Sequence, residues 1–306
     1  MKERKEINRN RAKGMLWGLI VGDCLGDVLQ FGPAREEGHF VTEMEAGGPF
    51  NTPAGYWTDD GSMALCIVDS YNNMGGTYSL ADIAETFHLW YRDGYLSSLD
   101  HSFDVGCSTA QSIMRYAAQK TLVNGNEHSA GNGSIMRYAP SYLIGLSEND
   151  ITGVTLGVSS ITHGNCPTVE DTVMRLNYVV SDGLVGERTT DYGKYVRRLR
   201  NGKLHLADRE DVTNRGFCID TLDSALWAFH KTKTFEDALV QAINNGNDSD
   251  SVGAVCGQIA GAYYGYDAIP RRWVEAVKDW EEIDAMFEKF LDLVFGKIEA
   301  ANAKED

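Results

Sequence analysis

Two short acidic segments carry the strongest chemical signal in the chain. In N-D-S-D-S, Asp248, Asp250 and Ser251 precede the small-residue run V-G-A-V-C-G-Q-I-A-G-A; in T-D-D-G-S, Thr58, Asp59 and Asp60 precede M-A-L-C-I-V. Each reads as a helix entrance, where a hydroxyl or carboxylate caps free N–H groups and acids complement the helix dipole. Capping accounts well for one acid per segment and less well for two. Together the segments offer four carboxylates and two hydroxyls, a hard-oxygen donor set suited to one or two Mg2+ or Mn2+ ions. Neither is an EF-hand, because the later ligands and the closing glutamate are absent. If the two entrances meet in the fold, their carboxylates repel, and cations relieve that repulsion.

Four further segments have side chains suited to chemistry. In S-A-G-N-G-S-I-M-R-Y (129–138), Gly131 and Gly133 allow close backbone approach to a ligand, and Asn132 and Ser134 can hydrogen-bond phosphate or ribose. No strand precedes this stretch, so it is neither a Walker motif nor a dinucleotide fingerprint. Arg137 follows it, either adding charge to an anion site or forming a structural salt bridge. In S-F-D-V-G-C-S-T-A, Asp104 stands at another apparent helix entrance, where a cap is the simplest role. His163 in I-T-H-G-N-C-P is a lone loop histidine that only its company makes notable. The aromatics of G-F-C-I-D-T-L-D-S-A-L-W-A-F (216–229) read as core.

The elements that must position these residues are helices. Apolar side chains recur at helical spacing over 11–30, 62–74, 80–93, 107–118, 150–161, 168–182, 219–231, 235–244, 252–264 and 270–297. Ser79 and Thr234 are the expected N-caps of two of them. No segment alternates with period two between hairpin turns, and the chain contains six prolines. An all-α fold follows. No low-complexity linker divides the 306 residues, so one domain is expected over 1–306, with an ordered core from about 11 to 297 and a fraying polar tail from Glu299.

Composition narrows the function classes. A net charge of −16 argues against nucleic-acid binding through a basic surface and suits a site that concentrates cations. Six scattered cysteines with no C-x-x-C pair point to a reducing, cytoplasmic setting rather than a disulfide framework. The charged N-terminus and the short, glycine-broken run Met15–Val21 give neither a signal peptide nor a membrane span.

Taken in order, these segments resemble the ADP-ribosylglycohydrolase family. The resemblance runs from G-L-I-V-G-D-C-L-G-D (18–27) to the end of 252–264 and is most specific in the pairing of T-D-D-G-S with N-D-S-D-S. G-N-G-S-I-M-R and D-T-L-D-S-A-L-W-A-F strengthen it. It implies an all-α single domain with a binuclear Mg2+ or Mn2+ centre at the base of a cleft for ADP-ribose. Thr58, Asp59 and Asp60 match one ligand group; Asp248, Asp250 and Ser251 match the other. Asp104 matches an acid near the scissile ribose. Asn132, Gly133, Ser134 and Met136 match the loop around the diphosphate and ribose, and His163 matches a T-H motif near the substrate.

Two positions depart from the family pattern. Gln30 stands where many relatives carry glutamate; an amide hydrogen-bonds but is neither a general base nor an anionic ligand. Asp27, one helical turn earlier, need not replace it. Phe217 stands where tyrosine is common, which keeps stacking and loses a hydroxyl.

The implied reaction is metal-dependent hydrolysis of the glycosidic bond between ADP-ribose and an acceptor, a protein side chain such as arginine or a small molecule. The metals orient ribose and water, and Asp104, or a metal-bound aspartate such as Asp59 or Asp248, takes the proton. A monomer acting on an ADP-ribosylated partner, with neither nucleic acid nor membrane, is expected. Two alternatives remain at this point: a two-metal phosphohydrolase acting on ADP-ribose or nucleotides, and an ADP-ribose-binding relative disabled by Gln30.

Overall fold

The computed structural model describes residues 7–188 and 208–303. Its helices are α1 (Arg9–Gly26), α2 (Asp59–Asn73), α3 (Leu80–Asp93), α4 (Cys107–Gln119), α5 (Tyr138–Ser147), α6 (Ile151–His163), α7 (Pro167–Leu184), α8 (Cys218–Lys231), α9 (Phe235–Ile243), α10 (Ser249–Tyr264), α11 (Arg271–Ala276) and α12 (Trp280–Asn302). Among the described residues there is no strand, only two isolated bridges, Gly47–Thr52 and Gly131–Phe217. The all-α expectation holds, and the buried side chains of the surrounding helices join one core.

That core is built around α1 and α10. Both are buried along nearly their whole length, and neither has a polar face. A helix covered on all sides needs no amphipathic stripe. The two run antiparallel, and glycines meet at the contact: Gly14 faces Gly261, Gly18 faces Gly257, and Gly22 faces Gly253. The four-residue spacing places these glycines on one face of each helix, letting the backbones touch. The outer helices have apolar stripes. On α12, Ile283, Phe287, Phe290, Leu291 and Val294 are buried, at positions one and two turns apart.

Several boundaries differ from the expected ones. Helix α5 was not anticipated; Tyr138–Gly145 is buried throughout, so it shows no helical period, and Pro140 sits in the first turn, where a missing N–H costs little. The expected helix 11–30 ends at Gly26 and continues as a 3-10 turn, Asp27–Leu29. The expected helix 270–297 is two helices. Lys278 donates its backbone N–H to Gly55 O at 2.9 Å, and Asp279 adopts φ 51°, which ends the first helix and starts the second. The expected fraying from Glu299 is not seen as far as Asn302, the last residue of α12; residues 304–306 lie outside the described residues. Ser79 and Thr234 cap α3 and α9 as expected, accepting from Asp82 and Asp237 N–H. The six cysteines are unpaired, and all but Cys107 are buried. Among the described residues, no helix is long and apolar enough to cross a membrane.

Candidate active site

The α1–α10 contact fixes one wall of the site. At its end, Gly26 lies against the backbone of Ser249 and Asp250, and Ser249 Oγ donates to Gly26 O at 2.7 Å. The C-terminal end of α1 therefore touches the N-terminal end of α10. A third helix end joins through Asp23 of α1. Its carboxylate accepts from Thr58 N (3.0 Å), Thr58 Oγ1 (2.9 Å) and Gly61 N (2.8 Å), so it caps α2 from outside that helix. The N-termini of α2 and α10 then face each other: Thr58 Oγ1 stands 3.4 Å from Asp250 Oδ2, and Ser251 Oγ 3.4 Å from Asp60 Oδ1.

Between these ends opens a cleft of about 510 Å³. Gln30, Asp59, Asp104, Asp248, Asp250 and Ser251 line one part; Gly131, Asn132, Gly133, Met136 and His163 line another. Thr58 and Asp60 are fully buried behind this lining. Gln30 bridges two acids, its Nε2 donating to Asp104 Oδ2 at 2.6 Å and to Asp250 Oδ2 at 2.8 Å. Asn132 Nδ2 donates to Asp248 Oδ2 at 2.6 Å and to Thr221 Oγ1 at 3.0 Å. The Asn132 amide is thus engaged in orienting a carboxylate. The Ser134 hydroxyl faces Ser159 Oγ of α6 instead of the cleft. Phe217 is the N-cap residue of α8, half-buried beside the bridge to Gly131, while its neighbour Gly216 lines the cleft. Asp27 turns away and accepts from Thr52 Oγ1.

Two expected helix caps are not caps. Asp248 is the N-cap residue of α10, but its side chain makes no capping bond; it is held by Asn132. Asp104 precedes α4, whose N-cap is Gly106, and adopts φ 55°. Phe31 and Asn247, also at the cleft, have φ 57° and 54°. Non-glycine residues in this region cost about 1 kcal/mol or more each, and such strain concentrates at functional sites.

Burial and crowding raise the proton affinity of every acid here. Desolvation is the largest cause throughout. It pushes Asp23 up to about 8 and Asp104 up to about 7, and lifts Asp59, Asp60 and Asp250 well above the ordinary range. Mutual repulsion adds to it: Asp104 acts on Asp59 and Asp250, and Asp23 on Asp60. Asp248 is also raised by burial, which the Asn132 amide partly offsets.

Divalent cations suit this donor set in chemistry and charge. Asp60 Oδ2, Asp250 Oδ1 and Gln30 Oε1 are buried without a hydrogen-bond partner. Such oxygens are costly unless something satisfies them. The geometry is not preformed: among the described residues no three His, Cys, Asp or Glu side chains already gather at coordinating distance around one point. Amide and hydroxyl donors stand between the carboxylates instead.

Asp23 was missed in the sequence. The available signal was a lone acid inside an apolar helix, which must find partners when buried. Thr221 and Asn214 were missed as well. Thr221 shares the Asn132 amide with Asp248, and the Asn214 carbonyl takes the Asp248 N–H at 3.1 Å.

Comparison with known proteins agrees with this architecture. The model of the ADP-ribosylglycohydrolase family matches residues 4–300. The ADP-ribosylarginine hydrolase Tri1 of Pseudomonas putida (strain GB-1) is 36% identical over 300 residues, covering 92% of this chain and 78% of its own. The ADP-ribosyl-dinitrogen reductase glycohydrolase of Rhodospirillum rubrum is 31% identical, covering 87% and 89%. A solved structure titled ADP-ribosylglycohydrolase-related protein complex superposes with a TM-score of 0.80 at 33% identity, covering 94% of this chain and 98% of that one. The chain belongs to the ADP-ribosylglycohydrolase family and is a hydrolase of the glycosidic bond between ADP-ribose and an acceptor.

Proposed function

We propose that the protein removes ADP-ribose from arginine side chains of proteins, using two divalent cations, Mg2+ or Mn2+, held among Thr58, Asp59, Asp60, Asp248, Asp250 and Ser251. The observation that carries this reading is the meeting of two helix N-termini, with buried, partnerless carboxylate oxygens, beside a cleft lined by Asp104 and the Gly131–Gly133 loop. Two features support arginine as the acceptor. Relatives named for ADP-ribosylarginine hydrolysis are 36% and 34% identical to the chain. An acid-lined cleft also suits a guanidinium cation.

The residues divide the work by position. The N–H groups of Gly133 and Ser134 have no backbone acceptor among the described residues, and they face the diphosphate in this reading. Met136 and His163 line the same end of the cleft. Gln30 and Asn132 keep Asp104, Asp250 and Asp248 in place. Bound divalent cations would offset the carboxylate charge and supply Lewis acidity toward water and the ribose hydroxyls. In the reaction, water oxygen bonds to the anomeric carbon as the C–N bond breaks. The bonding pair returns to the guanidino nitrogen, and a proton from water passes to that nitrogen. Asp104 is the proton carrier in this scheme, because it lines the cleft with its carboxylate held by the Gln30 amide. Asp59 and Asp248 are the alternative acceptors at the ion site.

The protein is proposed to work as a monomeric single domain in the cytoplasm. Buried, unpaired cysteines suit a reducing compartment, and the net charge of −16 disfavours nucleic acid as a partner.

The test is ADP-ribose release from ADP-ribosylarginine and ADP-ribosylserine peptides with Mg2+, Mn2+ or EDTA. Metal-dependent release from the arginine peptide, lost in Asp248→Asn, is expected. Release from serine alone overturns the acceptor; equal release in EDTA overturns the ion site.

A further inference from the structure

Arg137 forms no contact ion pair among the described residues, although its charge acts on Asp59 and Asp60. It is 1% exposed and lies behind the Gly131–Gly133 loop, outside the cleft lining. Its Nη1 donates to Gly133 O at 2.5 Å and to Met63 Sδ at 3.4 Å, and its Nη2 donates to Thr162 Oγ1 at 2.6 Å. The guanidinium stacks 4.8 Å from the centre of the Phe87 ring. Its hydrogen-bond partners are a carbonyl, a hydroxyl and a sulfur, not a carboxylate. A charge buried in this way is retained at a desolvation cost, which invites a question about what it holds in place.

The hydrogen bonds lead to His163. Thr162 Oγ1 lies 2.7 Å from His163 Nδ1. A guanidinium only donates, so the Thr162 oxygen accepts from Arg137 and keeps its own proton to give. If His163 Nδ1 carried a proton toward Thr162, the Thr162 O–H would be left buried with no acceptor, since Arg137 and His163 are the partners of Thr162 Oγ1 among the described residues. An unmade buried bond of that kind costs roughly 1–3 kcal/mol. The guanidinium also polarises the hydroxyl, making it a better donor and a poorer second acceptor. Donation from Thr162 to Nδ1 is therefore favoured, which leaves the ring proton on Nε2.

Nε2 faces the substrate loop. A Cβ placed on Gly131 or Gly133 would come within 3.4 or 3.3 Å of it, and His163 lines the cleft. We propose that Arg137 and Thr162 are positioning residues that hold His163 as a neutral Nε2–H donor, aimed with the Gly133 and Ser134 N–H groups at a phosphate oxygen of a nucleoside diphosphate. The part of this concerning substrate rests on the reading of the cleft given above. Burial, reinforced by the Arg137 charge, also keeps the ring neutral, holding its proton affinity down to about 3. A neutral donor stays available at any working pH and brings no charge into a buried loop.

The experiment is long-range proton–nitrogen NMR of protein labelled with nitrogen-15 histidine, with the His163 signals assigned by His163→Gln. The wild type and Thr162→Ser are expected to show an unprotonated Nδ1 and a protonated Nε2. Thr162→Val, which lacks the donor, is expected to show mixed tautomers and about tenfold weaker ADP-ribose binding by calorimetry, which the serine variant restores. A protonated Nδ1 in the wild type overturns the proposal, and so does an unchanged ring signature in Thr162→Val. If Thr162→Val does not fold, the wild-type spectrum alone decides. An Nε2–H ring that ADP-ribose neither binds nor perturbs supports the relay and overturns the substrate reading of the cleft.

Discussion

Gly18 and Gly257 stand so close that a methyl group on Gly18 would lie 2.1 Å from the Gly257 carbonyl oxygen. No side chain fits there, and the obstacle is backbone that cannot rotate away. The contact belongs to the α1–α10 seam, whose far end brings Gly26 to Asp250 and so sets the width of the candidate ion site. Gly18→Ala is expected to lower stability by about 3 kcal/mol or more, through overpacking that forces the helices apart. Gly296, on the exposed face of α12, has nothing within 4 Å of an added Cβ, so Gly296→Ala is expected to stabilise by up to about 1 kcal/mol. Urea unfolding of both variants checks the pair. A Gly18→Ala protein as stable as the wild type would contradict the packing described.

The acid cluster predicts how stability depends on pH without ions. Asp23 and Asp104 are raised from an ordinary value of 3.8 to about 8 and about 7. A raised carboxyl binds its proton more tightly in the folded state than in the unfolded one. Its contribution is therefore complete below pH 3.8 and is lost as pH rises through about 7 to 8. In EDTA, the melting temperature is expected to fall between pH 5 and pH 8. Added Mn2+ or Mg2+ is expected to raise it more at pH 8, where the acids are charged, than at pH 5. Scanning calorimetry at both pH values is the check; an ion effect that is larger at pH 5 would reject the site.

Asp23 ties α1 to the first turn of α2 through three hydrogen bonds. Asp23→Ala leaves the Thr58 and Gly61 N–H groups buried without this acceptor, at roughly 1–3 kcal/mol each. Relief of carboxylate repulsion offsets part of that loss. A net loss of about 2 kcal/mol is expected in EDTA. Because Thr58, Asp59 and Asp60 are then free to shift, Mn2+ affinity measured by calorimetry is expected to fall as well. Unchanged affinity would mean that the first turn of α2 does not depend on Asp23.

Much of this arrangement was legible in the sequence, for local reasons. Helix type follows from apolar period and capping residues, which is why α3 and α9 begin at Ser79 and Thr234 as expected. The acidic pairs were legible as unusual because one cap needs one acid. The less legible parts depended on neighbours distant in the chain. Helix α5 has no exposed face, so its period is invisible. Asp23 has a role only because α2 docks on it, and the hydroxyl of Ser134 is taken by Ser159, which no local rule foretells. The break at Val277–Asp279 depends on a carbonyl at Gly55.

Gln30 offers the sharpest test of how the cluster is balanced. Its amide nitrogen donates to Asp104 at 2.6 Å and Asp250 at 2.8 Å, and its oxygen Oε1 has no partner. The residue joins a proposed proton carrier to a proposed ion ligand without adding charge. Gln30→Glu would place a further carboxylate between two others and remove both donated bonds. In EDTA that change is expected to lower the melting temperature, because like charges at such distances repel strongly when buried. With Mn2+ the order is expected to reverse. A further anionic donor raises the site's attraction for a divalent ion, so Mn2+ should bind more tightly to Gln30→Glu than to the wild type, by about tenfold, equivalent to roughly 1.4 kcal/mol. Gln30→Leu, with neither donor nor charge, is expected to lose stability in EDTA without gaining affinity. Calorimetric titration of the three proteins with Mn2+ separates the cases. If Gln30→Glu and the wild type bind Mn2+ equally, Gln30 stands outside the ion site and its bridge serves only to hold Asp104.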